Sequence, residues 1–227
     1  MKAMILAAGR GERLRPLTDR IPKELVEVAG KPLLFRHLER LAQAGCREAV
    51  VNVSHLPELL VERVGNGARF GLRVAYSREA RALETAGGIA HARRLLGEAP
   101  FLLVNADVYC ECDFARLRAH RLGGALAHLV LVPNPPHRPQ GDFSLEGARV
   151  GDAAAPRYTY AGVAVMSPAL VAGVPEGERA PLAPLLRAAA ARGAVTGEAY
   201  HGVWQDVGTT ERLAELETQL SRRVPIK

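Results

Sequence analysis

The stretch Met4-Ile5-Leu6-Ala7-Ala8-Gly9-Arg10-Gly11-Glu12-Arg13-Leu14-Arg15-Pro16-Leu17-Thr18, with Pro22-Lys23 just beyond it, joins a short apolar run to a glycine-rich turn. Met4–Leu6 lacks polar alternation and reads as a buried strand. A glycine-rich turn at the carboxyl end of such a strand is where an α/β sheet binds phosphates. Gly9 and Gly11 let backbone N–H groups approach an anion closely. Two phosphate motifs are excluded: the chain has no Gly-Lys-Ser/Thr ending of a P-loop, and Leu14 stands where the dinucleotide fingerprint needs its third glycine. What remains is a cradle followed by two cations, Arg13 and Lys23. They suit a polyphosphate, a guanidinium clamping several oxygens and an ammonium acting as a point charge. At this level a turn with solvated arginines reads equally well.

The rest of the chain repeats the pattern. Ala49–Val53, Val74–Tyr76, Phe101–Val104 and Leu129–Val132 read as further buried strands. Helical spacing lies between them, in Pro32 to Gly45, Ile89 to Leu96 and Phe114 to Leu122. Strand-helix alternation predicts a doubly wound α/β fold, a mostly parallel sheet with helices on both faces. From Pro133 the texture changes: Pro133-Asn134-Pro135-Pro136 and Pro139 forbid a helix and signal an excursion. Short strands at Phe143–Leu145 and Arg149–Val150 follow, then a stronger one at Tyr158–Met166. Helices follow at Leu182–Arg192 and from Thr209 to about Ser221. The expectation is one domain over 1–227 with a small inserted lobe, its halves being 1–132 and 133–227.

The 227 residues, 48% hydrophobic and 24% charged, have globular proportions and length enough for a large core. The net charge is +6, yet of 30 basic residues only Lys2, Lys23, Lys31 and Lys227 are lysines, leaving 26 arginines scattered among acids. No patch or tail concentrates them, which argues against nucleic acid. No apolar stretch approaches a membrane span, and the first apolar run meets Arg10, Glu12 and Arg13 too soon for a secretory signal. With three cysteines, Cys46, Cys110 and Cys112, the expected compartment is the reducing cytoplasm. A thiol zinc site lacks its second pair of ligands.

Leu102-Leu103-Val104-Asn105-Ala106-Asp107 places a carboxylate directly after a buried strand, at the same sheet edge as the glycine turn. Asp107 suits Mg²⁺, which takes one or two carboxylates plus substrate phosphates. Near the end, Trp204-Gln205-Asp206-Val207-Gly208-Thr209 puts Asp206 just before a helix start. Either aspartate alone reads as well as a turn or capping residue. Trp204 reads as packing, and the stripe Leu213, Leu216, Leu220 as core or a self-association surface.

Together these segments resemble the sugar-1-phosphate nucleotidylyltransferases, whose signature Leu-Ala-Ala-Gly-x-Gly-x-Arg-x-x-Pro-Leu-Thr is present from Leu6 to Thr18, followed by Pro22-Lys23-Glu24 where Pro-Lys-Pro is usual. Leu83-Glu84-Thr85-Ala86-Gly87-Gly88-Ile89, Gly141-Asp142-Phe143 and the short length look closest to the branch that uridylylates N-acetylmuramic acid α-1-phosphate in peptidoglycan recycling. That branch usually has Gly where Ala86 and Ala106 stand. The resemblance implies a Rossmann-like nucleotidyltransferase fold whose inserted lobe binds the sugar. It implies nucleotide contacts at Leu6, Ala8, Gly9, Gly11, Glu12, Arg13 and Lys23, and base contacts at Glu84 and Thr85. Asn105, Asp142, Asp152 and Gly162 would meet the sugar, and Asp107 and Asp206 would hold Mg²⁺. Arg13, Lys23 and Asp107 would carry catalysis. The partners expected are a nucleoside triphosphate and a sugar 1-phosphate, with no nucleic acid or membrane, for a monomer or small homo-oligomer. Mannose 1-phosphate with GTP, glucose 1-phosphate with dTTP, and a catalytically dead nucleotide-sugar-binding regulatory subunit stand as alternatives.

The chemistry suits the residues that are missing. A sugar phosphate is largely dianionic at neutral pH and needs no general base to attack phosphorus. The chain has no Gly-x-Ser-x-Gly elbow and no histidine-based triad.

Overall fold

A computed structural model describes residues 1–153 and 156–222. A nine-stranded sheet forms its centre, in the order Arg73–Arg78, Glu48–Val53, Ala3–Ala7, Phe101–Asn105, Arg157–Met166, Ala127–Val132, Val195–Ala199, Arg149–Gly151, Phe143–Glu146. The expected parallel pairing holds over the first four strands. Beyond them Arg157–Met166 runs antiparallel to both its neighbours, and Val195–Ala199 is parallel to Ala127–Val132. The sheet is thus parallel on its first side and mixed on its second. Strands 143–146 and 149–151 form a hairpin, and the short returns there allow only antiparallel pairing; a parallel return needs a long crossover.

Alternate residues of the first strand feed two cores. Ala3, Ile5 and Ala7 pack with Leu34, Leu38 and Leu41 of helix Leu33–Gln43 and with Leu117 of helix Phe114–Ala119. Met4 packs on the opposite face with Ile89 of helix Glu84–His91 and Leu186 of helix Leu182–Ala191. Helices on both faces follow from this period of two. Two helices differ from the expected spans. The one expected to open at Ile89 opens at Glu84, because the carbonyl of Ala180 accepts the N–H groups of Ala86 and Gly87 (3.0 and 3.1 Å) and so stands in for a side-chain cap. It breaks at Ala92 before a short turn, Arg93–Leu96. Helix Phe114–Ala119 stops short of Leu122 because His120 is already extended.

The C-terminal helix Thr210–Ser221 opens on Thr209 as expected, and its apolar stripe is taken up internally: Leu216 and Leu220 are buried against Val28, Leu33 and Val207. Ahead of it, Trp204–Asp206 pairs with Val108–Cys110 in a separate antiparallel ribbon, bringing the carboxyl-terminal segment to the edge where Asp107 lies. Cys46, Cys110 and Cys112 are all buried as free thiols. No helix among the described residues is long and apolar enough to cross a membrane.

Candidate active site

Three cavities open along the carboxyl edge of the parallel strands, and Asp107 lines all of them. The largest, about 890 Å³, is walled by the glycine turn, Asn52, Glu79, Glu84 and Thr85. The second, about 680 Å³, lies toward the ribbon and the inserted lobe, with Asn105, Gly162, His137 and Asp206 on its wall. The third, about 450 Å³, lies between them under Gly11, Glu12, Arg13 and Lys23.

The turn is held from within. Gly11 adopts φ 64°, a left-handed conformation that glycine enters without strain, and its carbonyl accepts from Leu14 N–H and Thr18 Oγ1, each at 2.8 Å. Gly9 has a role beyond exposing its N–H: a Cβ there would fall 2.8 Å from both Cε and Nζ of Lys23. The glycine makes room for the lysine. Lys23 Nζ reaches Asp107 Oδ2 at 2.6 Å. Burial is the largest single influence and opposes the ammonium, but the neighbouring Asp107 and Glu24 carboxyls and the hydrogen bond to Asp107 together raise the lysine pKa. Burial likewise opposes the Asp107 carboxylate, and Lys23 turns that shift downward.

Glu24, the departure from the family signature, is wholly buried with neither carboxyl oxygen hydrogen-bonded to another side chain. Burial pushes its pKa up to about 8, so at neutral pH it is mostly the uncharged acid behind Lys23. Ala86 and Ala106, the other two departures, point their methyls into the two cores and line none of the three cavities. Gly87 is the position that must stay small, since a Cβ there would strike the backbone carbonyl of Glu178.

On the wall of the largest cavity, Glu84 takes a left-handed conformation at φ 59° and pairs with Arg179 at 2.6 Å. Beneath it a buried chain of hydrogen bonds ties three loops together. Ala7 N–H donates to Asn52 Oδ1 at 2.8 Å, Asn52 Nδ2 to Glu79 Oε1 at 2.7 Å, and Leu83 N–H to Glu79 Oε2 at 2.9 Å. Asn52 and Glu79 carry a signal that sequence reasoning missed: each is a polar residue at the carboxyl end of a parallel strand, Glu48–Val53 in the interior of the sheet and Arg73–Arg78 at its partly exposed edge, the position that marked Asp107.

On the other side, Asp206 is held by Arg212 (2.8 and 3.0 Å) and by His137 (2.7 Å). Gly162 sits at a bulge in strand 157–166 with φ 75°, where a Cβ would meet the Asn105 side chain at 2.8 Å, so the glycine admits Asn105 to the cavity wall. Trp204 donates its indole N–H to the Ala161 carbonyl at 2.9 Å, packing beneath the ribbon. The remaining two expected sugar contacts, Asp142 and Asp152, do not themselves line this cavity. Asp142 Oδ2 accepts from Tyr160 N–H at 2.9 Å and braces the lobe. Asp152, 60% exposed at its side chain, pairs with Arg157 at 2.8 Å and lines a separate surface hollow.

The donors at Asp107 and Asp206 fit a hard divalent cation: two carboxylates from the paired strands, both on the wall of the second cavity. Among the described residues no group of three or more His, Cys, Asp or Glu side chains is arranged to hold a metal ion, His137 being engaged as a hydrogen-bond partner of Asp206. The rest of a coordination shell would therefore come from phosphate oxygens and water.

Known proteins were compared with this chain. A family model described as nucleotidyl transferase matches residues 2–144. The N-acetylmuramate α-1-phosphate uridylyltransferase of Neisseria meningitidis serogroup B is 48% identical over 226 residues, covering 96% of this chain and 97% of that protein. The protein of the same name from Caulobacter vibrioides is 37% identical, covering 96% of each. A crystal structure described as a glucose-1-phosphate thymidylyltransferase from Bacillus anthracis in complex with a sucrose superposes with a TM-score of 0.85, covering 100% of this chain and 97% of that one, at 19% identity. That last likeness speaks for the fold.

Proposed function

The chain belongs to the nucleotidyl transferase family, and we propose that it transfers a uridylyl group from UTP to N-acetylmuramic acid α-1-phosphate, releasing pyrophosphate and forming UDP-N-acetylmuramate. The observation that carries the reading is the junction at Lys23 and Asp107, with one cavity suited to a nucleotide and another to a sugar phosphate on either side. The names of the two near-full-length relatives support the choice of uridine and muramate.

In this reading the nucleoside lies against Leu6, Ala8, Glu84 and Thr85, and the triphosphate against Gly9, Gly11, Glu12 and Arg13. The sugar faces Asn105 and Gly162. An oxygen of the sugar phosphate attacks the α-phosphorus in line, the bond to the β-phosphate oxygen breaks, and pyrophosphate leaves. The attacking oxygen is already ionised, so no residue takes a proton. Lys23 exchanges Asp107 for phosphate oxygens and holds two mutually repelling anions at attack distance, while Arg13 holds the leaving group. Mg²⁺ on Asp107 and Asp206, when bound, supplies further neutralisation of the phosphates. We place the reaction in the bacterial cytoplasm, in the recycling of peptidoglycan sugars.

The test is pyrophosphate release by the purified protein with Mg²⁺, supplied with UTP and N-acetylmuramate 1-phosphate, GTP and mannose 1-phosphate, or dTTP and glucose 1-phosphate. The first pair is expected to be fastest. A faster second or third pair retires the muramate assignment and keeps the mechanism. Nucleotide binding without turnover of any pair would mean a regulatory protein.

A further inference from the structure

The wall of the second cavity carries three arginines, Arg13, Arg138 and Arg212, against three carboxylates, Asp107, Asp206 and Glu215, and the arginines are unevenly committed. Arg212, 11% exposed at its side chain, holds Asp206 at 2.8 and 3.0 Å, and His137 meets the same carboxylate. Arg13 turns toward Gly208: a Cβ on that glycine would lie 2.7 Å from the Arg13 guanidinium, on the triphosphate side. Arg138 differs. Its guanidinium is 55% exposed and stands 3.5 Å from Asp142 Oδ2, beyond a good hydrogen bond, and that oxygen already accepts from Tyr160 N–H. An exposed pair this loose is worth little and exchanges partners readily.

The segment presenting Arg138 is built. Pro135, Pro136 and Pro139 fix their own φ angles. Arg138 N–H donates to the Pro135 carbonyl at 2.8 Å, and Gly141 N–H to the Arg138 carbonyl at 3.1 Å. Asn134 staples both ends, donating to the carbonyls of Pro139 and Arg157 (3.2 Å each) and accepting from Thr159 Oγ1 at 3.0 Å. The backbone that carries Arg138 is therefore a stiff strap at the cavity wall, so binding has only the side chain left to order.

Resting on the functional reading above, we infer that Arg138 is a specificity-determining residue that pairs with the lactyl carboxylate of the muramyl substrate, the group that distinguishes it from N-acetylglucosamine 1-phosphate. A planar guanidinium meets a carboxylate through two parallel N–H···O bonds, which an ammonium does not reproduce. Asp142 serves as a placeholder that keeps Arg138 oriented while the cavity is empty of substrate.

The experiment compares wild type, Arg138→Ala and Arg138→Lys in steady-state pyrophosphate release with UTP and N-acetylmuramate 1-phosphate. For Arg138→Ala the KM for the sugar phosphate should rise about 10- to 100-fold, the scale of one lost charge-assisted bond. The KM for UTP should stay within about twofold, and Arg138→Lys should recover only part of the loss. Where N-acetylglucosamine 1-phosphate turns over, the preference for muramate should fall by the same factor. A sugar-phosphate KM within twofold of wild type in Arg138→Ala, or a parallel rise in the KM for UTP, overturns the inference. Failure of the wild-type protein to use the muramyl substrate overturns the functional reading instead.

Discussion

Lys23 Nζ and Asp107 Oδ2 stand 2.6 Å apart, joining segments 84 residues distant in the chain. In the absence of substrate each is the other's counter-ion in a site too buried to leave either charge alone. Substrate phosphate and a cation would take over these two roles, so the site exchanges one neutral arrangement for another. Lys23→Ala should slow pyrophosphate release by about 10²-fold or more, the scale for one preorganised electrostatic contact. Turnover within threefold of wild type would remove Lys23 from the mechanism.

Glu24 makes stability depend on pH. Its folded pKa, about 8, lies above its ordinary 4.5, so between those values the folded protein binds a proton that the unfolded chain has released. Stability contributed at low pH is then lost as pH rises through about 8. A shift of this size corresponds to roughly 3–5 kcal/mol. Denaturant titrations of Glu24→Gln and wild type should show the variant gaining on wild type from pH 5 to pH 9. An equal difference at both pH values would mean that Glu24 is ionised in the folded protein.

The Asn52–Glu79–Leu83 chain makes Glu79 a positioning residue for the nucleotide loops. Glu79→Ala leaves the Asn52 amide and the Leu83 N–H buried without partners, a loss of roughly 2–4 kcal/mol. The KM for UTP should rise with little change for the sugar phosphate. Equal effects on both substrates would show general loosening instead.

Gly162→Ala combines strain at φ 75° with displacement of the Asn105 side chain. Activity should fall through the sugar phosphate, with a KM several-fold higher for it and unchanged for UTP. A variant as active as wild type would show that Asn105 moves aside freely.

Much of this was legible in the sequence because local physics and position coincided. The apolar runs ending in Ala7, Val53 and Asn105 are buried on both faces, and that pattern survives in a parallel sheet whatever surrounds it. Asp107 could be read as a residue of the cavity edge because a strand's carboxyl end is a fixed address, and Lys23 from the resemblance to the family signature. Asp142 and Asp152 could not, since their side chains turn to Tyr160 and Arg157 by pairings made only in the folded lobe. Glu24 was visible as a departure. Its burial was not, because the short turn Lys23–Leu25 has no periodicity from which to infer a face. His137 and Arg212 converge on Asp206 from opposite sides in sequence, and nothing local announces that meeting.

The ribbon that pairs Val108–Cys110 with Trp204–Asp206 has a bearing on biosynthesis. During translation the glycine turn, Lys23 and Asp107 emerge well before Asp206 and the helix that anchors it. A chain ending before Trp204 would carry Asp107 without Asp206. The edge at Asp107 is therefore completed by a segment about a hundred residues downstream, so in a growing chain the two aspartates come together only after the sheet's later strands have been made.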